Sequence, residues 1–107
     1  MKGERLGEFE EVVLLAAYGL GKDAYGVTIQ QRLAESIGRG ATIGAVYAAL
    51  DRLERKRHLK SRVGGATHER GGRRKRFFKI TDIGVRALET MRADREEMWS
   101  LVVEDKP

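Results

Sequence analysis

The sequence predicts a mainly α-helical fold that carries one two-stranded β-hairpin. Three observations predict it. Apolar residues recur at helical spacing over three successive stretches between Leu6 and Leu53; the period drops to two on either side of a glycine-rich turn between His58 and Ile80; and one more amphipathic stretch follows Thr81. At 107 residues the chain fits a single unit with a modest core.

In LGEFEEVVLLAAYGL, Leu6, Phe9, Val13, Ala16 and Leu20 form a stripe that Val12 and Leu15 widen, which predicts a central helix. Gly19 and Gly21 suit its end, and Asp23 suits the start of the next helix. In YGVTIQQRLAESIG, Tyr25, Ile29, Leu33 and Ile37 recur every four residues, and Gly38 supplies the stop. A third helix follows, with Thr42 as its cap, Val46, Leu50 and Leu53 as its inner stripe and a basic C-terminal half. Leu59, Ser61 and Val63 then alternate with Lys60 and Arg62, while Phe78 and Ile80 alternate with Phe77 and Lys79, so GGATHERGG is the hairpin tip. Thr81 caps a last helix that reaches nearly to the C terminus, with Leu88, Met91, Met98 and Val102 on a 3,4 pattern that Arg95 interrupts. A monomer this small has no further element to cover that stripe. Residues 82–107 are therefore expected to pair with a second copy through Leu88, Met91, Met98, Trp99 and Val102.

Lys and Arg number 21 against 16 Asp and Glu, and twelve of the 21 lie between Arg52 and Lys79, offset locally only by Glu54 and Glu69 and by Asp51 just before them. Segregated charge of this kind implies one surface that meets a polyanion, nucleic acid ahead of membrane. Three helices followed by a hairpin is the winged helix-turn-helix order, in which the third helix enters the major groove of double-stranded DNA and the wing lies over the backbone. Residues 1–81 are thus read as the DNA-binding part. In ERGGRRKRFF, the run from Arg73 through Arg74 and Lys75 to Arg76 is expected to meet phosphates, with Phe78 anchoring it, and Arg52 belongs to a second basic segment nearby. Thr42, Gly44 and Ala45 either simply cap a helix and keep it slim, or touch base edges in the groove. Tyr47, on the edge of the aliphatic stripe, can pack its ring while its hydroxyl reaches a phosphate.

Other chemistries lack their residues. There is no cysteine, hence no disulfide or thiolate site. His58 and His68, even with Glu69 adjacent, lack the short paired spacings of a zinc site, and GLGKDAYG lacks the ending of a phosphate loop. No nucleophile, base and orienter are placed together, so neither an enzyme nor a cofactor is expected. The acidic start and the lack of an apolar run of ~20 residues point to a cytoplasmic protein with no membrane partner. A winged helix that binds RNA or a protein is the alternative reading.

The segments AVYAALDRLERK, ERGGRRKRFFKIT and DIGVRAL also resemble the PadR family of bacterial transcriptional regulators, particularly its short single-domain group, from about Leu6 to the end. The resemblance implies a winged-helix homodimer built on the C-terminal helix, which represses promoters until an effector or stress releases it. It further implies that Tyr47 reaches DNA from the recognition helix and that Tyr25 and Gly26 are the Tyr-Gly pair at the start of helix two. In multidrug-responsive relatives, tryptophans across the dimer axis hold flat aromatic ligands. By that likeness Met98 and Trp99 would line an effector pocket, whereas a plain dimer core is the other reading. The sequence departs from the family at Arg57, where glycine is usual at a left-handed helix end. Either Arg57 bears the strain or the third helix ends differently.

Overall fold

Helix α1 (Glu8–Leu20) is followed by one 3-10 turn (Gly21–Asp23), helix α2 (Gly26–Ile37), helix α3 (Ile43–Arg55), strand β1 (Leu59–Val63), strand β2 (Arg76–Ile80) and helix α4 (Asp82–Ser100). The computed structural model describes residues 5–64 and 75–103. The order of elements matches the expectation of a mainly helical fold with one hairpin.

Helix α1 lies at the centre and packs on α2, α3, β2 and α4. Its Val13 and Leu14 are fully buried, and Ile29, Val46, Ala49, Leu50 and Leu53 close around them just as completely. Two positions differ from the expected stripes. Leu14 rather than Leu15 enters the core, Leu15 being 47% exposed, and Ile37 is 56% exposed. Steps of four residues overshoot a helical turn by about 40° each, so by its last turn the α2 stripe has rotated off the core.

Each helix start is closed by a side chain. Glu10 accepts from the Gly7 N–H at 3.0 Å, Thr28 from Tyr25 at 3.0 Å, Thr42 from Ala45 at 3.0 Å and Thr81 from Gly84 at 3.1 Å. Tyr25, not Asp23, is therefore the cap residue of α2. Asp23 lies in the 3-10 turn, where its carbonyl accepts from the Thr28 hydroxyl at 2.7 Å.

The end of α3 resolves the alternative posed by Arg57. Arg57 adopts φ 68°, with its N–H donated to the Glu54 carbonyl and that of His58 donated to Leu53, both at 2.9 Å. These are the paired bonds of a left-handed helix end, a conformation that costs a side-chain-bearing residue on the order of 1 kcal/mol. Arg57 bears that strain. Immediately behind it His58 is buried, and its carbonyl accepts from the Thr81 N–H at 3.0 Å. Gly84 crosses the same carbonyl so closely that a Cβ would lie 2.4 Å from the oxygen, so α4 starts against the joint between α3 and β1.

Strands β1 and β2 pair antiparallel, Leu59 facing Ile80, Lys60 facing Lys79 and Arg62 facing Phe77. A third partner was not expected. Ala24 accepts from the Phe78 N–H at 2.9 Å and Tyr25 bridges to Phe77, which fixes the start of α2 along the outer edge of β2. Phe78 points the other way, into the core, at 2% exposure.

The first part of α4 packs on its own chain, Leu88 being buried and Met91 half-buried; every described position from Arg92 onward is exposed, though Arg95 donates to Glu11 of α1 at 2.6 Å. The helix stops at Ser100, short of its expected end. The Leu101 and Val102 N–H groups turn to the Met98 and Trp99 carbonyls, Ser100 Oγ donates to the Glu97 carbonyl, and the β-branched pair Val102 and Val103 resists continuation. The projecting half raises the radius of gyration to 16.1 Å, where a compact chain of this length would have about 13 Å. Among the described residues no helix is long and apolar enough to cross a membrane.

A buried carboxylate joins α1 to α3. Glu10, 6% exposed, accepts from Arg52 at 2.7 Å and from Lys56 at 3.0 Å. Burial alone would raise its pKa, but hydrogen bonds from Arg52, the Gly7 N–H and Lys56 outweigh burial and hold it at about 2.

Two outcomes follow from these local arrangements. Arg57→Gly should raise stability by about 0.5 to 1 kcal/mol in urea melts, relief of strain exceeding the added freedom of the unfolded chain. Because the folded pKa of Glu10 lies below its ordinary 4.5, its contribution is complete above pH 4.5 and is lost as pH falls toward 2. Glu10→Gln should cost about 2 kcal/mol at pH 7 and should flatten the loss of stability between pH 4.5 and 2, measured by melts across that range.

Candidate nucleic-acid interface

The Gln30 side chain donates to the Ala41 carbonyl at 2.8 Å and sets the turn that delivers the first residues of α3 to the surface. There Thr42, Gly44 and Ala45 are exposed, with Thr42 occupied as the helix cap. Nothing crowds Gly44: the nearest atom to a Cβ built on it would be Thr42 Oγ1 at 4.0 Å. This end of α3 is slim and open, as a helix entering a groove must be.

One turn further along, Tyr47 is half-buried, its ring laid across Gly26. A Cβ at Gly26 would sit 2.5 Å from Tyr47 Cζ, so the ring can lie on the first turn of α2 only over glycine. Tyr25 meets Phe77 edge-on at 5.4 Å between centroids, and Lys75 Nζ lies 4.5 Å from the centre of the Tyr25 ring and 3.4 Å from its hydroxyl. On the far side Arg62 covers Phe77 at 5.1 Å. Lys75, Tyr25, Phe77 and Arg62 thus form a row of two rings with a cation at either end, an arrangement that holds both cations at the surface. The start of α2 adds its partial positive charge.

The expected site residues divide. Tyr25, Tyr47 and Lys75 come together where α2 meets the wing, and Thr42, Gly44 and Ala45 lie at the exposed start of α3. Arg52 is drawn onto α1 by Glu10. The basic run also loses its last member as a phosphate contact. Arg76 turns back to α3, bonding Asp51 at 3.1 Å, Ser61 at 3.2 Å and Glu54, and these two carboxylates hold its pKa up against the lowering effect of burial. Arg73 and Arg74 lie outside the described residues, as do His68 and Glu69. Among the described residues no three His, Asp or Glu side chains converge to hold a metal. Of the expected pairing residues, Leu88 and Met91 serve the chain's own core, while Met98 and Trp99 are 65% and 69% exposed and Val102 is 48% exposed.

Arg62, Phe77 and the platform at Gly26 were not singled out from the sequence as parts of this surface. Their signal lies in the register that sets Arg62 opposite Phe77, a pairing across the hairpin that no local period reports.

Residues 14–90 match the transcriptional regulator PadR-like family. Among solved structures, the chain is similar to a PadR-like transcription factor from Bacteroides fragilis, at 23% identity over 86% of this chain and 84% of that one, with a TM-score of 0.73. It is similar also to a PadR family regulator from hypervirulent Clostridium difficile R20291, at 26% identity over 89% and 94% of the two chains, with a TM-score of 0.70. Bacillus subtilis PadR, solved in complex with operator DNA, shares 18% identity over 94% of this chain and 50% of its own, with a TM-score of 0.62. A comparison with curated proteins finds no match.

If Arg76 clamps the wing to α3, Arg76→Gln should cost about 1 kcal/mol and speed amide exchange in both strands more than in α1. Unchanged protection of β1 and β2 in hydrogen-exchange measurements would mean that Phe78 holds the wing without help.

Proposed function

Since the chain belongs to the transcriptional regulator PadR-like family, we propose that it is a sequence-specific DNA-binding regulator acting as a homodimer in the cytosol, and that it represses its promoter until an effector or stress releases it. The observation that carries this reading is the shared surface of the wing edge and the starts of α2 and α3, where Tyr25, Tyr47 and Lys75 meet beside the unobstructed Gly44. In this reading the first turn of α3, with Thr42, Gly44 and Ala45, enters the major groove. Tyr25, the Tyr47 hydroxyl and Lys75 hold phosphates, joined by Arg73 and Arg74 of the wing. The Bacillus subtilis relative solved with operator DNA supports the same class of ligand for this chain.

The exposed end of α4 supports pairing. Met98, Trp99, Leu101, Val102 and Val103 are between 48% and 81% exposed, a large apolar cluster for a soluble monomer. Two-fold pairing there would set two copies of α3 roughly 34 Å apart, one DNA turn, on a pseudo-palindromic operator. Met98 and Trp99 would then lie where two copies meet, able to enclose a flat effector. In this division of labour residues 1–81 bind DNA and residues 82–107 pair the copies.

Changing Arg73, Arg74 and Lys75 together to Ala should weaken specific and random duplexes by similar factors and flatten the dependence of log K on log salt by up to about 2.7. Gly44→Glu should abolish operator binding with an unchanged melting temperature, because the new carboxylate points into the phosphate-lined groove. Met98→Asp with Val102→Asp should sediment as a monomer and lose operator affinity steeply. An unmutated protein that sediments as a monomer at micromolar concentration yet binds tightly would overturn the dimer. Preference for an RNA hairpin of equal charge over random duplex DNA would overturn the choice of nucleic acid.

A further inference from the structure

Helix α3 has two opposite faces of different chemistry. Val46, Ala49, Leu50 and Leu53 are wholly buried, while Gly44, Ala48, Asp51 and Arg55, at steps of four, three and four residues, line the side turned away from the core. Ala45 flanks that outer line and is exposed beside it. Over its first two turns the outer face therefore presents two methyl groups and a bare Cα. The first polar side chain on it is Asp51, whose carboxylate already accepts from Arg76 at 3.1 Å. Thr42, at the helix start, accepts from the Ala45 N–H at 3.0 Å. Arg55 stands about 16 Å beyond Gly44 along the axis, too far from the entering turn to reach the same base edges.

A helix that reads bases by hydrogen bonds does so with Arg, Lys, Asn or Gln, which meet the edges of guanine and adenine in the major groove. Residues 42–48 contain none of these side chains. What remains is apolar contact, and of the four bases only thymine offers an apolar group there, its C5-methyl. Guanine and cytosine would set polar edges against a methyl group, lose their water and gain no partner. The lack of bulk matters as much. A Cβ built on Gly44 would have Thr42 Oγ1 at 4.0 Å as its nearest neighbour, so the backbone can descend until carbon meets carbon at about 4 Å.

We infer that α3 selects its site through thymine methyl groups, Ala45 packing on one thymine and Ala48 on another, while Gly44 lets the helix close on the floor of the groove. This rests on the DNA-binding reading and deepens it by naming the base that the face prefers. Affinity and preference are then carried by different residues. Tyr25, Tyr47 and Lys75 hold phosphates whatever the sequence, and the two alanines weigh one carbon of each base. Discrimination of this kind is graded, since one buried methyl group is worth about fourfold in binding.

The test selects duplexes from a randomised library with the full-length protein, then remakes the tightest binder with deoxyuridine in place of each thymidine in turn. Deoxyuridine pairs as thymidine does and lacks only the C5-methyl. At the thymidines under α3 each exchange should weaken binding about fourfold, and at thymidines outside the selected site it should change nothing. Ala48→Gly, its folding checked by a melt, should bring the ratio of thymidine to deoxyuridine affinity close to one at one of those positions and leave the salt dependence as it was. Ala45→Gly should do the same at the other. Exchange of every thymidine without loss of affinity would overturn the inference, as would a selected site whose discriminated positions are all G·C. Both of those results come from the unmutated protein and need no variant to fold. A ratio unmoved in both folded variants would overturn the assignment to Ala45 and Ala48. A library from which no sequence is enriched would overturn the DNA-binding reading itself, and the inference with it.

Discussion

A single backbone hydrogen bond, from the Phe78 N–H to the Ala24 carbonyl, fixes the relation between the wing and the helices. With Phe78 buried behind it, this bond locks the start of α2 against β2 and brings Tyr25 beside Phe77. The placement of Lys75 over the Tyr25 ring depends on that contact. Tyr47 depends on it at one remove, since Gly26, over which its ring lies, is the next residue along the same anchored segment. A peptide bond that cannot change its partner without unburying a phenylalanine therefore stands behind the whole candidate surface.

Around this anchor the cations fall into distinct populations. Arg52 and Lys56 serve the interior carboxylate of Glu10, and Arg76 serves Asp51 and Glu54, so these residues hold elements together. Lys75 and Arg62 lie on aromatic rings at the surface, and Lys22, Lys60 and Lys79 stand over a groove without a described acidic partner. A basic composition announces a polyanion in general terms. Which cations remain available for it is decided by the acids that the fold brings within reach.

The division also explains what the sequence could and could not reveal. Periodicity of 3.6 and of 2 reports which face of an element is apolar, and that local signal sufficed for the order of helices, the hairpin, the core positions of α3 and the caps at Thr42 and Thr81. The glycine-like end of α3 was legible as a conflict, because Arg57 stands where backbone geometry calls for glycine, and the conflict is real. Long-range pairings were not legible. Glu10 meets partners 42 and 46 residues away, and Arg76 reaches back 22 and 25, separations over which no spacing rule operates. The extended edge at Ala24 and Tyr25 escaped notice because one bridge is too short to have a period. The limits of the α4 stripe escaped it for another reason: the pattern marks an apolar face without saying how much of it the chain itself covers, and Leu88 lies on one side of that division while Trp99 lies on the other.

The crossing of Gly84 over the His58 carbonyl has a mechanical consequence. A helix of 19 residues is about 28 Å long, and α4 is packed on its own chain near one end, with only an exposed ion pair from Arg95 to Glu11 at 2.6 Å further along among the described residues. It is a lever on a tight fulcrum. A tilt of roughly 10° at Gly84 would carry the far end through about 5 Å, while the fulcrum itself, with no room for even a methyl group, could move hardly at all. Coarse displacement near Trp99 is thereby geared down to fine displacement at the joint where α3 ends and the wing begins.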